Sequence, residues 1–183
     1  MQIISGDITR ENVDAIVNAA NAYLQHGGGV AGVISFNGGP QIQIESDSWI
    51  EKYGPVRHKI PAYTGGGELP CQYVIHAVGP VWGEGDEDKK LAAAISGSLK
   101  LGDQLGLTSI SFPANSTGIF GFPKERAAKI ILKEIIEYCG EPYGTSLELI
   151  RLVLFDDESV AVFLKVSDLI DDIPVNNFHN IVI

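Results

Sequence analysis

Glycines and asparagine amides in one short stretch of this sequence have the chemistry to hold an anionic ligand. Asn18 and Asn21 close an apolar, β-branched run, and three consecutive glycines, Gly27–Gly29, lead into a segment that can form a helix. Glycines directly before a helix leave backbone N–H groups free to face an anion, and the helix dipole adds partial positive charge. A triple glycine alone is more often a flexible turn, but two amide side chains at a strand end favour a ligand site.

A second loop of the same kind lies further along the chain. Ser109–Phe112 has the pattern of a strand, Ala114–Gly121 follows it with two glycines, and Pro123 opens a helix. In open α/β sheets, ligands bind outside the carboxyl ends of the strands. Two anion-binding loops at one sheet edge therefore predict a diphosphate rather than a single phosphate.

The two loops need a sheet that brings them together, and the hydrophobic pattern predicts one. The expected strands are Gln2–Ile4, Ala15–Val17, Lys59–Tyr63, Tyr73–Val78, Ser109–Phe112 and Glu148–Phe155. The expected helices are Gly29–Asn37, Gln41–Tyr53, Asp88–Leu105, Lys124–Tyr138 and Glu158–Ile170. Strands that alternate with longer helices indicate an α/β sheet covered on both faces. Beyond residue 170, Asn180–Ile183 could form an edge strand, or Asn176–Asn177 could equally begin a frayed terminus.

Charge and composition limit the partners that we expect. The 183 residues carry a formal net charge of −10, which argues against duplex DNA or an anionic membrane as the main partner. Neither glycine-containing loop has a Lys or Arg, so backbone amides would have to hold the anion. We expect a cytoplasmic protein with reduced thiols, because Cys71 and Cys139 lack Cys-x-x-Cys spacing and there is no secretory or membrane-spanning apolar run.

Two other chemistries match parts of these loops, and each lacks a required feature. Gly27–Gly32 satisfies the dinucleotide-binding pattern G-x-G-x-x-G, but residues 18–26 separate it from the strand at whose end it should begin. Ala114–Gly118 is one glycine short of the nucleophile elbow G-x-S-x-G, with Ser116 as the nucleophile. The histidine that this serine would need is available only as His179 near the end of the chain.

The histidines do not share the spacing of metal ligands, so we predict no metal site; they are His26, His58, His76 and His179. His76 lies in an apolar strand and is expected to be a hydrogen-bonded core residue. His26 directly precedes the triple glycine and is expected to orient that loop.

Asp7 and Phe155 each have a structural and a functional interpretation. Asp7 follows the first strand and could cap a helix over Ile8–Asn12 or accept a hydrogen bond from an exocyclic amine. Phe155 ends the last strand, where it could join the core or present an aromatic face to a cleft.

These motifs, in this order, resemble those of the macro domain family, whose members bind ADP-ribose. The matching segments are Gly6–Thr9, Asp14–Asn21, His26–Gly32, Ile75–Pro80 and Phe112–Gly121, with a weaker match through Phe155. His26–Gly32 together with Ile44–Asp47 is most similar to the archaeal and viral branches. The resemblance implies one three-layer α/β/α domain over residues 1–183 with a central mixed β-sheet, no cofactor, and a monomer.

The resemblance also implies a role for each residue of the two loops. Asp7 would hold the adenine amino group with Ile8 alongside, and Phe155 would stack on the adenine ring. One phosphate would be bound by amides of the first loop, namely Gly28, Gly29, Val30 and Ala31. The other would be wrapped by backbone N–H groups of the second loop, namely Ser116, Thr117, Gly118, Ile119 and Phe120.

The catalytic residues that the resemblance implies surround the distal ribose. Asn21 would bind its hydroxyl groups, Phe120 would pack on the sugar, and a water would sit over Gly27–Gly29. Apart from the resemblance, we expect a positive φ at Gly28. Ala31 occupies the position where hydrolases of one branch have an aspartate, so this loop supplies no carboxylate base. The expected function is hydrolysis of mono-ADP-ribosyl esters on acidic residues or of O-acetyl-ADP-ribose; the alternative is a non-catalytic reader of ADP-ribose or ADP-ribosylated proteins.

Overall fold

The strands and helices alternate along the part of the chain that the computed structural model describes, residues 1–142 and 144–170. The strands are β1 Gln2–Ser5, β2 Ala15–Ala20, β3 Ala62–Gly65, β4 Tyr73–Val78, β5 Ser109–Phe112 and β6 Leu149–Leu154. The helices are α1 Gly29–Gly38, α2 Pro40–Tyr53, α3 Glu87–Gln104, α4 Lys124–Cys139 and α5 Asp157–Ser167, with a 3₁₀ turn at Ile8–Arg10.

The strands form one six-stranded sheet in the order β1-β6-β5-β2-β4-β3. Every neighbouring pair is parallel except β3–β4, which is antiparallel at the edge. The predicted mixed sheet is therefore confirmed. Because β1, β2, β5 and β6 run in the same direction, the loops that follow them leave from one edge of the sheet.

Helices cover both faces of the sheet, and alternate residues of each strand face opposite layers. On β2, Val17 packs into a core with α3, α4 and α5, which contribute residues such as Ile95, Ile131 and Phe163. Ile16 packs on the other face against Ile34 of α1 and Ile42 of α2. The predicted three-layer α/β/α arrangement follows from this alternation.

Most strand and helix boundaries lie within one to three residues of the sequence prediction, and three of the differences bear on the site. β2 does not end at Val17 but continues to Ala20, with Asn18 paired to His76 of β4. β3 begins at Ala62 because residues 57–60 form a turn, closed by a hydrogen bond from Ile60 N to Arg57 O of 3.1 Å. β6 ends at Leu154, which leaves Phe155 beyond the strand.

The predicted alternatives for Asn180–Ile183 lie outside the described residues. None of the described helices is both long and apolar enough to cross a membrane.

Candidate functional site

A cleft of about 860 Å³ opens where the parallel strands end. Every residue to which the family resemblance assigned a ligand role lines this cleft; they are Asp7, Ile8, Asn21, Gly28, Gly29, Val30, Ala31, Ser116, Thr117, Gly118, Ile119, Phe120 and Phe155. Its described lining contains no Lys or Arg, so the two glycine-containing loops must supply the positive potential there. The ligand roles of these residues stay predictions, but the fold brings them to one place.

The first loop ends in an exposed helix N-terminus. The first intrahelical bond of α1 runs from Gly32 N to Gly28 O at 3.0 Å, so the N–H groups of Gly29, Val30 and Ala31 have no partner within the helix. The positive φ predicted at Gly28 is wrong: Gly28 is extended with φ −176°, and Gly29 has φ +57°. Only Gly29 therefore needs the conformational freedom of glycine.

The second loop also leaves backbone donors unused. Hydrogen bonds from Thr117 N to Ala114 O (3.2 Å) and from Phe122 N to Ser116 O (3.0 Å) shape it. Within the described residues no acceptor is recorded for the N–H groups of Ser116, Gly118, Ile119 and Phe120. Ser116 has φ +66°, a conformation that costs energy for a side chain larger than hydrogen and that turns the loop toward the cleft.

The two loops meet across the cleft through one side chain. A Cβ atom on Gly28 would lie 3.6 Å from Ile119 Cδ1, and one on Gly29 would lie 3.2 Å from it. Because Ile119 is itself 78% exposed, its side chain bridges the two loops on their solvent side. The unpaired N–H groups of both loops are therefore close enough to act on one diphosphate.

The opposite end of the cleft carries an exposed aromatic ring and acidic side chains. Phe155 is 87% exposed just beyond β6. Asp7 caps the 3₁₀ turn as predicted, with Oδ1 accepting from Thr9 N at 3.0 Å and from Thr9 Oγ1 at 2.7 Å. Asp7 Oδ2 is 3.7 Å from Arg10 Nε, too far for a strong hydrogen bond. One carboxylate oxygen is thus left to accept from an amine beside an aromatic face.

Asn21 shapes its own loop and retains one free donor. Its Nδ2 donates to Gln25 O at 2.6 Å, and its Oδ1 accepts from Tyr23 N and Gln25 N at 3.1 and 3.2 Å. The amide nitrogen carries two hydrogens, so one remains for a ligand. Asn21 can therefore donate to a ribose hydroxyl and hold residues 21–25 in a turn at the same time.

Asn18, whose amide the sequence placed in a ligand site, does not reach the cleft. It is fully buried, and its Nδ2 donates to His26 Nδ1 (3.3 Å) and His76 Nδ1 (3.0 Å). Both histidines then carry their hydrogen on Nε2, where His26 donates to Ser46 Oγ (2.9 Å) and His76 to Thr64 Oγ1 (3.0 Å). The two rings stack with centroids 5.0 Å apart, and His26 fixes the start of the glycine loop. The predicted core role of His76 is confirmed.

This network requires neutral histidines, so acid should loosen it. Burial, helped by repulsion from His26, lowers the pKa of His76 to about 3. Because the unfolded histidine titrates near 6.5 and takes up a proton first, the contribution of His76 to stability is expected to decrease as the pH is lowered from about 6.5 to about 3, by at most about 1.4 kcal/mol per pH unit. Urea unfolding at several pH values measures this slope. His76→Gln should flatten it, whatever it does to stability at pH 8; an unchanged slope would contradict the prediction.

Sequence reasoning did not identify Asp156, Ser159 and Val33 as part of the cleft lining, although the sequence contains a helix-capping pattern at the first two. Asp156 and Ser159 line the cleft at the start of α5, where Asp156 accepts from Ser159 N at 2.8 Å. A hydrogen bond from Lys124, with that N-cap, lowers the pKa of Asp156 to about 2. The Asp-x-x-Ser spacing after a strand is a capping pattern. Val33 also lines the cleft, one helical turn after Gly29.

The serine-nucleophile alternative fails on geometry. Ser116 Oγ is buried and has no hydrogen-bond partner among the described residues. A Cβ on Gly79 would lie 2.0 Å from that oxygen, so the hydroxyl points into the β4 side of the loop. Since no described histidine activates it, Ser116 has the position of a backbone donor rather than of a nucleophile.

Comparison with known sequences connects this geometry to one family. A family model described as the macro domain matches residues 17–131. An uncharacterized archaeal protein from Sulfolobus acidocaldarius is 49% identical over 165 residues, which cover 90% of this chain and 88% of that protein. O-acetyl-ADP-ribose deacetylase 1 of Pantoea vagans is 47% identical, covering 89% and 95%. An uncharacterized Thermotoga maritima protein is 50% identical, but the match spans 28% of its length.

Solved structures give the same result. The Oceanobacillus iheyensis macrodomain with ADP has a TM-score of 0.86 and 34% identity, covering 91% of this chain and 89% of that one. The Trypanosoma brucei macrodomain in complex with ADP-ribose has a TM-score of 0.81 and 32% identity, covering 89% and 67%.

Proposed function

Because this chain belongs to the macro domain family, we propose that its cleft binds ADP-ribose and hydrolyses ADP-ribosyl esters. The observation that carries the proposal is the pair of loops on either side of one gap, spanned by Ile119, whose N–H groups have no acceptor among the described residues and whose described lining has no Lys or Arg. Such a site suits a diphosphate, which accepts many hydrogen bonds and is attracted by the N-terminus of α1. The ligands printed for related structures, ADP and ADP-ribose, support the same choice.

The ligand would lie with its adenine between Asp7 and Phe155. Asp7 Oδ2 would accept from the exocyclic amine, and the exposed ring of Phe155 would cover one face of the base. The diphosphate would follow between the loops, and the distal ribose would reach the free Nδ2 hydrogen of Asn21, with Phe120 packed on the sugar.

Free ADP-ribose is expected to bind with a Kd of micromolar order, about −8 kcal/mol. Ribose 5-phosphate, which lacks the adenine and one phosphate, should bind at least about 10-fold more weakly, because it cannot use Asp7 or Phe155 and can fill only one of the two phosphate positions. Isothermal titration calorimetry with both ligands measures the difference. Equal affinities would remove the adenine end from the proposal, and no ADP-ribose binding would remove the proposal itself.

The proposed reaction releases ADP-ribose and a carboxylic acid. When the acidic side chain is esterified to the anomeric carbon, a water held between Gly28 and the distal ribose would attack that carbon, and the bond from the carbon to the ester oxygen would break. The acidic side chain would leave as its carboxylate, and an oxygen of the bound diphosphate would take the proton from the water. The protein would contribute alignment rather than a base, and alignment alone supplies several kcal/mol of a barrier.

One observation favours the alternative of a reader that binds without turnover. The carboxylates of the described cleft lining are Asp7 and Asp156, and both lie beside the residues assigned to adenine. At the other end, position 31 is alanine, so no carboxylate is placed to act as a base there. Incubation with a mono-ADP-ribosylated acceptor separates the two functions: released ADP-ribose identifies the enzyme, and binding without release identifies the reader.

A further inference from the structure

The positive charges that have no ion-pair partner are unevenly distributed. Among residues 1–142 and 144–170, the cations outside every ion pair are Lys52, Arg57, Lys59, Lys100 and Lys129. The first three fall within eight residues of a chain whose net charge is −10, and all three are exposed. Tyr53 and Ile60, beside them in sequence, are 59% and 64% exposed. We call Lys52, Tyr53, Arg57, Lys59 and Ile60 the basic strip.

The segment that carries the basic strip is fixed beside Asn21. Val56 N donates to Ala22 O at 2.8 Å, one residue after Asn21. The His58 ring nitrogen Nδ1 donates to Val78 O at 2.7 Å, and Val78 pairs with Ala20, one residue before Asn21. Two hydrogen bonds therefore hold the turn of residues 57–60 next to the end of the cleft assigned to the distal ribose.

We propose that the basic strip binds the acidic polypeptide to which the ADP-ribose is attached. The inference rests on the proposed function, since the distal ribose is the point at which an acceptor joins the ligand. An acceptor modified on Asp or Glu in an acidic sequence would leave the cleft beside Asn21 and meet Arg57 and Lys59. Exposed Tyr23, on the Asn21 loop, and Ile60 would contact its apolar side chains.

Charge argues for an acidic polypeptide and against a nucleic acid on this surface. Specific duplex binders neutralise on the order of 6–10 phosphates, whereas the basic strip offers Lys52, Arg57 and Lys59 within a strongly acidic protein. A short acidic peptide needs only a few opposite charges, and these give specificity and association rate more than affinity. The Nζ of Lys52 already lies 4.9 Å from the Tyr53 ring centroid, so Arg57 and Lys59 are the better positions to change.

The test variant is Arg57→Glu/Lys59→Glu. Its matched control is Lys100→Glu/Lys129→Glu, which changes the net charge by the same amount. Within the described residues, both control positions also lie outside every ion pair. Three substrates are compared: a peptide with one ADP-ribosyl-Glu flanked by acidic residues, the same peptide with flanking Asn and Gln, and O-acetyl-ADP-ribose. For the strip variant, KM for the acidic peptide should rise about 10-fold, or about 1.4 kcal/mol, with kcat unchanged. Both variants should act normally on the other two substrates.

Three results would overturn the proposal: an equal loss with O-acetyl-ADP-ribose, an equal loss in the matched control, or no change with the acidic peptide. Tighter binding of a short single-stranded oligonucleotide than of the peptide, abolished in the strip variant, would also overturn it. If the unmodified protein does not turn over any substrate, the Kd of a stable amide-linked ADP-ribosyl peptide relative to free ADP-ribose gives the same comparison. Absent binding of free ADP-ribose would instead refute the proposed function.

Discussion

Replacing Gly28 with glutamate is expected to abolish detectable ADP-ribose binding while the domain stays folded. The backbone of Gly28 is extended, with φ −176°, so any residue can adopt it without strain. A side chain there starts 3.6 Å from Ile119 Cδ1 and must enter the gap between the two loops. It would fill the proposed diphosphate channel and add a negative charge that no Lys or Arg of the described lining offsets. Calorimetry measures the loss, and thermal unfolding checks the fold.

Two substitutions at the same position separate bulk from charge. Gly28→Gln has the size of glutamate without its charge, and Gly28→Ala adds only a Cβ in ordinary contact with Ile119. We expect the affinity to decrease in the order alanine, glutamine, glutamate. Near-normal binding by a folded Gly28→Glu variant would mean that the first loop is a turn and not a phosphate site.

Replacing Asn21 with alanine is expected to slow hydrolysis far more than it weakens binding. One hydrogen bond to the ribose is worth about 0.5–1.5 kcal/mol, so the Kd should rise by no more than about an order of magnitude. Losing the alignment of the anomeric carbon with the water should cost ~10²-fold in rate, because small displacements weigh heavily on near-attack geometry. Single-turnover kinetics together with calorimetry measure the two effects.

Asn21 also holds its loop, so its variant needs a control. Asn21→Asp keeps an oxygen that can accept from Tyr23 N and Gln25 N but removes the Nδ2 donor, both toward the ribose and toward Gln25 O. If the ribose contact matters, aspartate should lose as much rate as alanine; recovery with aspartate would assign the effect to the turn. Ala31→Asp asks whether a base is limiting, with faster turnover as the positive result. No release of ADP-ribose by the unmodified protein, despite binding, would make it a reader.

The cleft could be located from the sequence because it is formed by glycine-containing loops at the ends of strands. Gly27–Gly29 before α1 and the Ala114–Gly121 loop after β5 are readable from glycines at the ends of apolar runs. Parallel strands then bring such loops to one edge without any knowledge of side-chain contacts. The residues assigned to the ligand line one cleft for this reason.

Features that depend on partners distant in sequence were not predictable. Asn18 reads as the polar end of a strand, yet β2 continues through it because His26 and His76 accept from its amide inside the fold. The positive φ lies at Gly29 and not at Gly28. Gly28 is extended because it is the N-cap of α1, and the glycine pattern alone does not show at which of the three glycines the helix begins. The basic strip can be recognised only after the ion pairs of the other Lys and Arg residues are known, because the sequence does not show which cations have partners.

The position of Ile119 has a kinetic consequence. The Ile119 side chain reaches from the second loop to Gly28 and Gly29, so we expect a molecule held between the loops to lie beneath it and to leave when that side chain or its loop moves aside. Association is then slower than diffusion, and the residence time is set by how often the loops part rather than by the number of hydrogen bonds. Since ADP-ribose would be both the product and a good ligand, its escape past Ile119 is expected to limit turnover once the ester is cleaved.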